Sequence, residues 1–510
     1  MENTRIASII YIGSTYIGIR IGQNRKNKLN IIDQAKSRLS IGKDVFENRR
    51  IPVEKVDAIV EIIRNYKKLS KEYGCERIRL LASTALRESE NRYYIRDRIF
   101  QETGINLEIL TDAELKNHIF MSNIEGLKNK GQLEDNGMLA FIGSGNLGIA
   151  FYENNSINYL QNILIGTLKL YEIAKSAEKY SDKMNYLVKE QLHTYLNFLP
   201  KFLPKNEMKF LLVAGRATET IAALCSVEEE TGMIGKEEFH RFFKEITGMN
   251  ADKISIKYNV RKEFANEIII ATTIIENLVD ISGVEGIILP DIFFFNTMFN
   301  EMLFPGKYRA MKNDIKQYAV SSSLKLAEMY KAYDSHIQYV DFLSEKIMKK
   351  LTRTNNFKDK EFLYLKIAVI LHNIGKFINS DKHYLNSSYI IRNTDIIGLT
   401  EKDREIISLL VKYQSFLLPG ENDNEYMALS PAEQICVSKL SAIMRMADSL
   451  DKNYKQKFKN IAVRMQKGDL VIQVESKKNT YIEQIKFNEY KEFFKEVYGM
   501  DIKLVIKRGI

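Results

Sequence analysis

The sequence predicts an α/β chain in which one βββαβαβα unit occurs twice, followed by an all-helical region and a small α+β tail. The first observation is the stretch IASIIYIGSTYIGIRIG, Ile6 to Gly22. Its β-branched runs, Ile6–Ile12 and Tyr16–Ile21, flank Gly13-Ser14-Thr15, the pattern of a hairpin with a tight turn. Ser8, Ser14, Thr15, Arg20 and three glycines interrupt it, which argues against a signal peptide or a buried helix. The second observation is that the stretch recurs. Residues 10–21, IYIGSTYIGIRI, align with residues 140–151, AFIGSGNLGIAF. Tyr11 falls on Phe141, Gly13-Ser14 on Gly143-Ser144, and Gly18 on Gly148, which implies a duplicated domain. The third is a change of texture near Pro305, where alternating strands and helices give way to helical patterning.

In the first copy, a third strand is expected near Leu29–Gln34. A helix follows from Pro52 to Tyr73, with Val56, Ile59, Val60, Ile63 and Tyr66 as its apolar stripe and Gly74 as its stop. Then come a strand (Arg77–Ala82), a helix (Ala85–Thr103), a strand (Asn106–Leu110) and a helix (Asp112–Glu125). The second copy restarts with a hairpin at Gly137–Tyr152 and a strand near Ile157–Leu160. Helices to Phe198, a strand at Met208–Ala214, more helices and a strand at Gly283–Leu289 complete it. Lys307 to about Lys455 reads as helical. The tail offers strands at Asn460–Met465, Leu470–Glu475 and Asp501–Lys507 around a helix near Phe487–Val497. The expected domains are 1–130, 131–305, 306–457 and 458–510.

Composition narrows the class. With 45% hydrophobic and 27% charged residues, 510 residues make an ordinary globular chain too long for one core. No apolar run approaches a membrane span, and Pro290 and Asp291 break the nearest, Gly286–Phe295. Cys75, Cys225 and Cys436 show neither metal spacing nor a disulfide framework, which points to a reducing cytoplasm. The net charge of +10 favours acidic partners without choosing among them. No dense Lys/Arg block appears, so no specific nucleic acid and no membrane are expected. In glycine loops such as Gly13-Ser14-Thr15 and Gly143-Ser144-Gly145-Asn146, backbone N–H groups can approach an anion. Two of them facing each other would hold a chain of phosphates.

The duplicated unit with paired phosphate hairpins resembles the actin and sugar-kinase plan (ribonuclease H-like). Within it the chain resembles the exopolyphosphatase/guanosine pentaphosphatase (Ppx/GppA) family over nearly its whole length. SRLSIG at Ser37–Gly42, LASTALRESEN at Leu81–Asn91, FIGSGNLGI and VAGRATETIAAL at Val213–Leu224 carry the resemblance together with the first hairpin. It implies removal of terminal phosphates from inorganic polyphosphate or of the γ-phosphate of guanosine pentaphosphate. It also implies Mg²⁺ dependence and a cytoplasmic homodimer, with guanosine tetraphosphate a related ligand.

Such hydrolysis requires Mg²⁺ on carboxylates and a base that orients water. The resemblance places an Asp before each glycine turn, where this chain has Tyr11 and Phe141. A Glu after the second loop is Gly148 here, and the family's catalytic Glu falls on Leu115, beside Glu114. Glu114 is therefore the remaining catalytic candidate, with Asp112 and Asp291 as further carboxylates. The phosphate-holding residues that survive are Gly13, Ser14, Thr15, Arg87, Gly143, Ser144, Gly145, Asn146, Gly215, Arg216 and Thr218. In the helical region, His336 (YDSHIQYV), His372-Asn373 (LHNIGKF) and Asp448 (MRMADSLD) fall where an HD phosphohydrolase keeps its ligands. Asn373 and, later, Asn386 replace ligand types, so no resident metal is expected there. Three readings follow: a phosphate-chain or nucleotide binder with weak or absent hydrolysis (a pseudoenzyme), an active Mg²⁺-dependent hydrolase with relocated carboxylates, or a non-binding interaction protein.

Overall fold

Gly13 turns the first hairpin, its N–H donating to the Tyr16 carbonyl at 2.9 Å, and Gly143 repeats the turn onto Asn146 at 2.9 Å. A computed structural model describes residues 5–82, 84–129, 135–177, 184–227, 233–290, 294–415, 417–420 and 422–508. The chain forms two compact units, Met1–Ile315 and Lys316–Ile510.

The first unit contains two sheets. Strands β1 (Ile6–Ile12), β2 (Tyr16–Arg25), β3 (Lys28–Arg38), β4 (Arg77–Ala82) and β5 (Leu107–Ile109) order as β3-β2-β1-β4-β5. Strands β6 (Gly137–Ile142), β7 (Leu147–Glu153), β8 (Ser156–Ile163), β9 (Phe210–Gly215), β10 (Ile234–Gly235) and β11 (Gly286–Ile288) order as β10-β11-β9-β6-β7-β8. In each sheet the hairpin is antiparallel, while its first strand runs parallel to the strand after the crossover, β1 to β4 and β6 to β9. The duplication is therefore structural, and the architecture is the actin-like one.

The first-sheet helices are α1 (Gly42–Asn48), α2 (Val53–Glu72), α3 (Thr84–Glu88), α4 (Arg92–Thr103) and α5 (Asp112–Asn129). Those of the second are α6 (Thr167–Ser176), α7 (Met184–Leu196), α8 (Thr218–Leu224), α9 (Lys236–Thr247), α10 (Ala251–Lys257) and α11 (Lys262–Ser282). Helices α12 (Phe294–Leu303) and α13 (Pro305–Met329) follow. The helix expected at Ala85–Thr103 breaks in two. Asn91 there, the N-cap of α4, binds both the N–H and the carbonyl of Ile51, at 3.1 and 2.9 Å, which pins the turn between α3 and α4 to a segment 40 residues earlier. The expected strand from Gly283 is only three residues long, because Gly283 is the left-handed cap of α11 at φ 69°. Helix α12 is absent from the sequence-based expectation.

Side chains of β1 alternate. Ile10 and Ile12 join the core under α2 and α4, while Ala7 and Ile9 face a second apolar cluster with α5 and α12. That cluster contains Leu81, Leu110, Leu115, Ile119, Ala214, Phe295, Met298 and Phe299, so it joins residues of both sheets.

The second unit continues with α14 (Asp334–Asn355), α15 (Asp359–Leu371), α16 (His383–Arg392), α17 (Glu401–Lys412), α18 (Asn424–Met427) and α19 (Pro431–Ser449). Strands β12 (Lys459–Gln466), β13 (Asp469–Ser476) and β14 (Ile502–Arg508) form a sheet with α20 (Tyr481–Tyr498) between the last two. One apolar core runs through helices and sheet alike, from Val340 and Leu371 to Phe458, Ile472 and Phe494. No described helix is long and apolar enough to cross a membrane.

Candidate functional site

Both glycine loops are braced through their carbonyls by the segment that follows the third strand of their sheet. The Ser14 carbonyl accepts from the N–H groups of Ile41 and Gly42, at 2.9 and 2.8 Å. In the copy, the carbonyls of Gly143 and Ser144 accept from Thr167 and Leu168, each at 3.0 Å. An Ile-Gly pair stands at each brace, a further repeat that the hairpin alignment missed: Ile41-Gly42 supplies the donors, and Ile165-Gly166 directly precedes Thr167 and Leu168. A Cβ on Gly166 would lie 2.4 Å from the Gly143 carbonyl oxygen, so only glycine permits that approach. With the loops held by their carbonyls, the N–H groups of Ser14, Thr15, Ser144 and Gly145 find no protein acceptor among the described residues. Thr15, Ser144 and Gly145 are exposed. Donors left without a protein acceptor are what an anion needs.

The other predicted contacts divide. Asn146 is 8% exposed and its amide oxygen packs against Gly143, so it shapes the loop. Thr218, at 1%, donates to the Gly215 carbonyl at 2.7 Å and closes the third turn. Gly215 lets β9 approach β6, since a Cβ there would sit 2.8 Å from the Ile142 oxygen. Arg87 donates to the Leu110 carbonyl at 2.9 Å. Arg216 reaches from the third turn to Thr15 Oγ1 of the first loop, at 3.1 Å. Its Nε and Nη2 engage both oxygens of Glu267 on α11, and Phe264 lies under the guanidinium at 5.2 Å. Glu267, which sequence reasoning passed over, thus shares the cation that bonds the first loop.

The two positions where the resemblance expects Asp hold aromatic rings. A Cβ on Gly13 would touch Tyr11 Cε1 at 3.2 Å, and one on Gly143 would touch Phe141 Cε1 at 3.3 Å. Tyr11 meets Phe295 edge-on at 5.8 Å, and Arg20 covers the other reach of that ring at 5.0 Å. Tyr11 and Phe141 both border the cluster that holds Ala214, Phe295 and Met298. Magnesium requires oxygen ligands, and this surface does not fit it. Glu114 is also engaged. Its carboxylate accepts from the N–H and hydroxyl of Thr111, both at 2.9 Å, while its own N–H donates to Thr111 Oγ1 at 3.2 Å. This is a capping box at the start of α5, and the Thr-x-x-Glu spacing announces it in the sequence. Leu115 beside it is 7% exposed in the apolar cluster. Asp291 and the Asp112 side chain lie outside the described residues.

In the second unit, His336, His372 and Asp448 meet, the one group of three or more metal-ligand types gathered this closely among the described residues. His336 Nε2 lies 3.2 Å from His372 Nε2 and 3.3 Å from Asp448 Oδ1, which is 3.6 Å from His372 Nε2. The remaining atoms of each group are tied elsewhere. His336 Nδ1 meets Asp451 at 2.9 Å, His372 Nδ1 meets the Val369 carbonyl at 2.6 Å, and Asp448 Oδ2 pairs with Lys452 at 2.7 Å. Burial opposes protonation of His336, but Asp448 and Asp451 override it and raise its pKa. Burial pushes His372 down. Burial alone would raise Asp448, but Lys452 and both imidazoles hold it well below the usual range. Asn373 turns its amide to His372 Nε2 at 2.8 Å and to the Tyr454 hydroxyl at 2.9 Å. Lys376 stacks on Tyr454 at 4.5 Å, and burial pushes its pKa down to about 8. Asn386 instead packs against Gly375. The partners Asp451 and Lys452 were readable at i+3 and i+4 from Asp448.

Two actin-like sheets, each with a braced glycine loop, define the class of fold. The comparisons give the family. Residues 20–289 match the Ppx/GppA phosphatase family, and residues 319–491 match domain III of Ppx/GppA phosphatases. The chain belongs to the Ppx/GppA phosphatase family. A bifunctional 3-dehydroquinate synthase/phosphatase of Fusobacterium nucleatum is 23% identical over 249 residues, 47% of this chain and 36% of that protein. The chain thus spans about a third of that relative's length. A Ppx/GppA family member of Aquifex aeolicus shares the fold at TM-score 0.50 and 19% identity, over 59% of this chain and 99% of its own. An exopolyphosphatase of Cytophaga hutchinsonii matches at TM-score 0.49 and 16% identity, over 58% and 98%.

Proposed function

We propose that this chain binds phosphate chains, inorganic polyphosphate or guanosine penta- and tetraphosphate, at its paired glycine loops and hydrolyses them weakly or not at all. One observation carries the reading: four loop N–H groups have no protein acceptor among the described residues, while the two positions where the resemblance expects Asp hold aromatic rings packed against an apolar cluster. Donors remain to hold phosphate oxygens, and Arg216 adds charge. The machinery that would bring Mg²⁺ and water to the terminal phosphate does not. A dimer acting in the cytoplasm belongs to the same reading. Calorimetric titration with long-chain polyphosphate and with guanosine pentaphosphate, with and without Mg²⁺, tests it. Binding is expected without Mg²⁺ and should weaken steeply with salt, as phosphate contacts release counterions. Silence at low ionic strength with both ligands defeats the proposal.

The second unit supports a separate reading, against the sequence-based expectation of a metal-free domain. Tetrahedral ligand atoms around a Zn²⁺-like ion lie about 3.3 Å apart, and the three facing atoms stand at 3.2 to 3.6 Å. Each ligand's other polar atom is tied, the arrangement that orients metal-binding imidazoles. Elemental analysis should find one metal per chain, lost in His372→Ala. Protein purified without chelator and free of metal defeats this reading alone.

A further inference from the structure

Arg445, on α19, is 2% exposed. Its Nε donates to the Tyr413 carbonyl at 2.6 Å, and its Nη2 donates to the Leu417 carbonyl. The rings of Phe493 and Tyr490 lie 4.5 and 5.6 Å from the guanidinium carbon. Tyr413 follows the last turn of α17, so the carbonyl end of that helix takes part of the charge. The account is incomplete. A guanidinium has five N–H groups and stays protonated. Two are used, and Arg445 meets no carboxylate among the described residues. A buried charge left this way is costly unless something completes it.

The guanidinium lines a cavity of about 560 Å³, walled by Tyr490, Phe493 and Leu418. That volume lies within the range of small-molecule sites, roughly 300–1,000 Å³. The rim is mainly acidic: Glu489 and Lys495 there pair with Lys486 and Asp501. Glu492 and Glu496 line it from one face of α20, are exposed, and have no ion-pair partner among the described residues. A simple anion or a phosphate would be drawn to the floor and repelled at the mouth. A molecule with a carboxylate at one end and an ammonium at the other satisfies both.

We propose that this cavity binds a small zwitterion of the α-amino-acid class, its carboxylate on Arg445, its ammonium between Glu492 and Glu496, and an apolar side chain against Tyr490 and Phe493. The site is independent of the glycine loops.

The chain contains no tryptophan. Leu418→Trp, at a position 57% exposed on the cavity wall, therefore gives a single reporter in full-length protein. L-leucine and L-phenylalanine should change its fluorescence and saturate. 3-Phenylpropionate, which lacks the ammonium, and phenethylamine, which lacks the carboxylate, should bind about tenfold or more weakly, since each leaves one charged group unpaired. Glu492→Gln with Glu496→Gln should weaken amino-acid binding by a similar factor and leave the melting temperature unchanged, because both side chains are exposed. Three results overturn the proposal: no response to either amino acid at millimolar concentration, equal binding of 3-phenylpropionate or inorganic phosphate, or indifference to the double substitution.

Discussion

Tyr11 and Phe141 occupy equivalent positions in the two sheets, each beside the glycine of its own loop and each bordering the same apolar cluster. Unmodified protein should therefore release little phosphate from polyphosphate at any Mg²⁺ concentration. Losing a base costs a typical ~10²–10⁴-fold, and loss of the metal adds to it. Leu115→Glu alone should restore nothing and should lower the melting temperature, because it buries a carboxylate where Leu115 packs with Ile119 and Phe295. Restoration would need Tyr11→Asp, Phe141→Asp and Gly148→Glu as well, since base, metal and phosphates act as one unit. Turnover near one per second by the unmodified chain, abolished by Glu114→Gln, would refute this.

Glu114 should behave as a structural residue. Its exchange with Thr111 caps α5, so Glu114→Ala should cost about 1 kcal/mol of stability, the usual worth of a cap. Urea unfolding measures it. Thr111→Ala should cost a similar amount, and the double variant less than the sum, because both remove one reciprocal contact. Polyphosphate affinity should not change.

The repeat and the order of elements along the chain were legible because a β-hairpin has period 2 and a glycine turn, both local signals. What was missed depends on contacts distant in sequence. Helix α12 reads as a continuation of the apolar run after β11, and only its burial against β1 and α5 makes it a helix of the interior. Glu267 lies 51 residues from Arg216, with nothing local to join them. His336, His372 and Asp448 could be placed from their motifs, and Asp451 and Lys452 from their spacing, but not the pairing of Asp451 with His336 across 115 residues. Glu114 was readable locally as a cap, yet the positional resemblance to a catalytic pair drew attention away from that simpler signal.

Arg216 is held between two claims. Glu267 takes its Nε and Nη2 while Nη1 reaches Thr15, so an arriving phosphate must compete with a carboxylate. Glu267→Gln should therefore tighten polyphosphate binding severalfold, and Arg216→Ala should weaken it and flatten the salt dependence. Titration at two ionic strengths distinguishes the outcomes. Weaker binding in Glu267→Gln would mean that the carboxylate positions Arg216 for the ligand instead of competing for it.

His118 links stability to pH. It sits on α5 with Nδ1 2.9 Å from Thr297 Oγ1 of α12, where burial first, and then the charge of Arg79, lowers its pKa. Folding thus favours the neutral ring. An unfolded imidazole takes its proton near ~6.5, so the His118 contribution is complete above that pH and is lost as pH falls toward the lower folded value. Melting temperature should drop between pH 7 and 5, and the drop should be smaller in His118→Gln, which keeps a hydrogen-bonding side chain without a titrating one. Buried His372 and half-buried His383, also held below the usual imidazole range, contribute to the same decline, and His336, held above it, opposes it. The informative quantity is therefore the difference between the two proteins across that range. Parallel curves would show that the α5–α12 contact does not depend on the charge of His118.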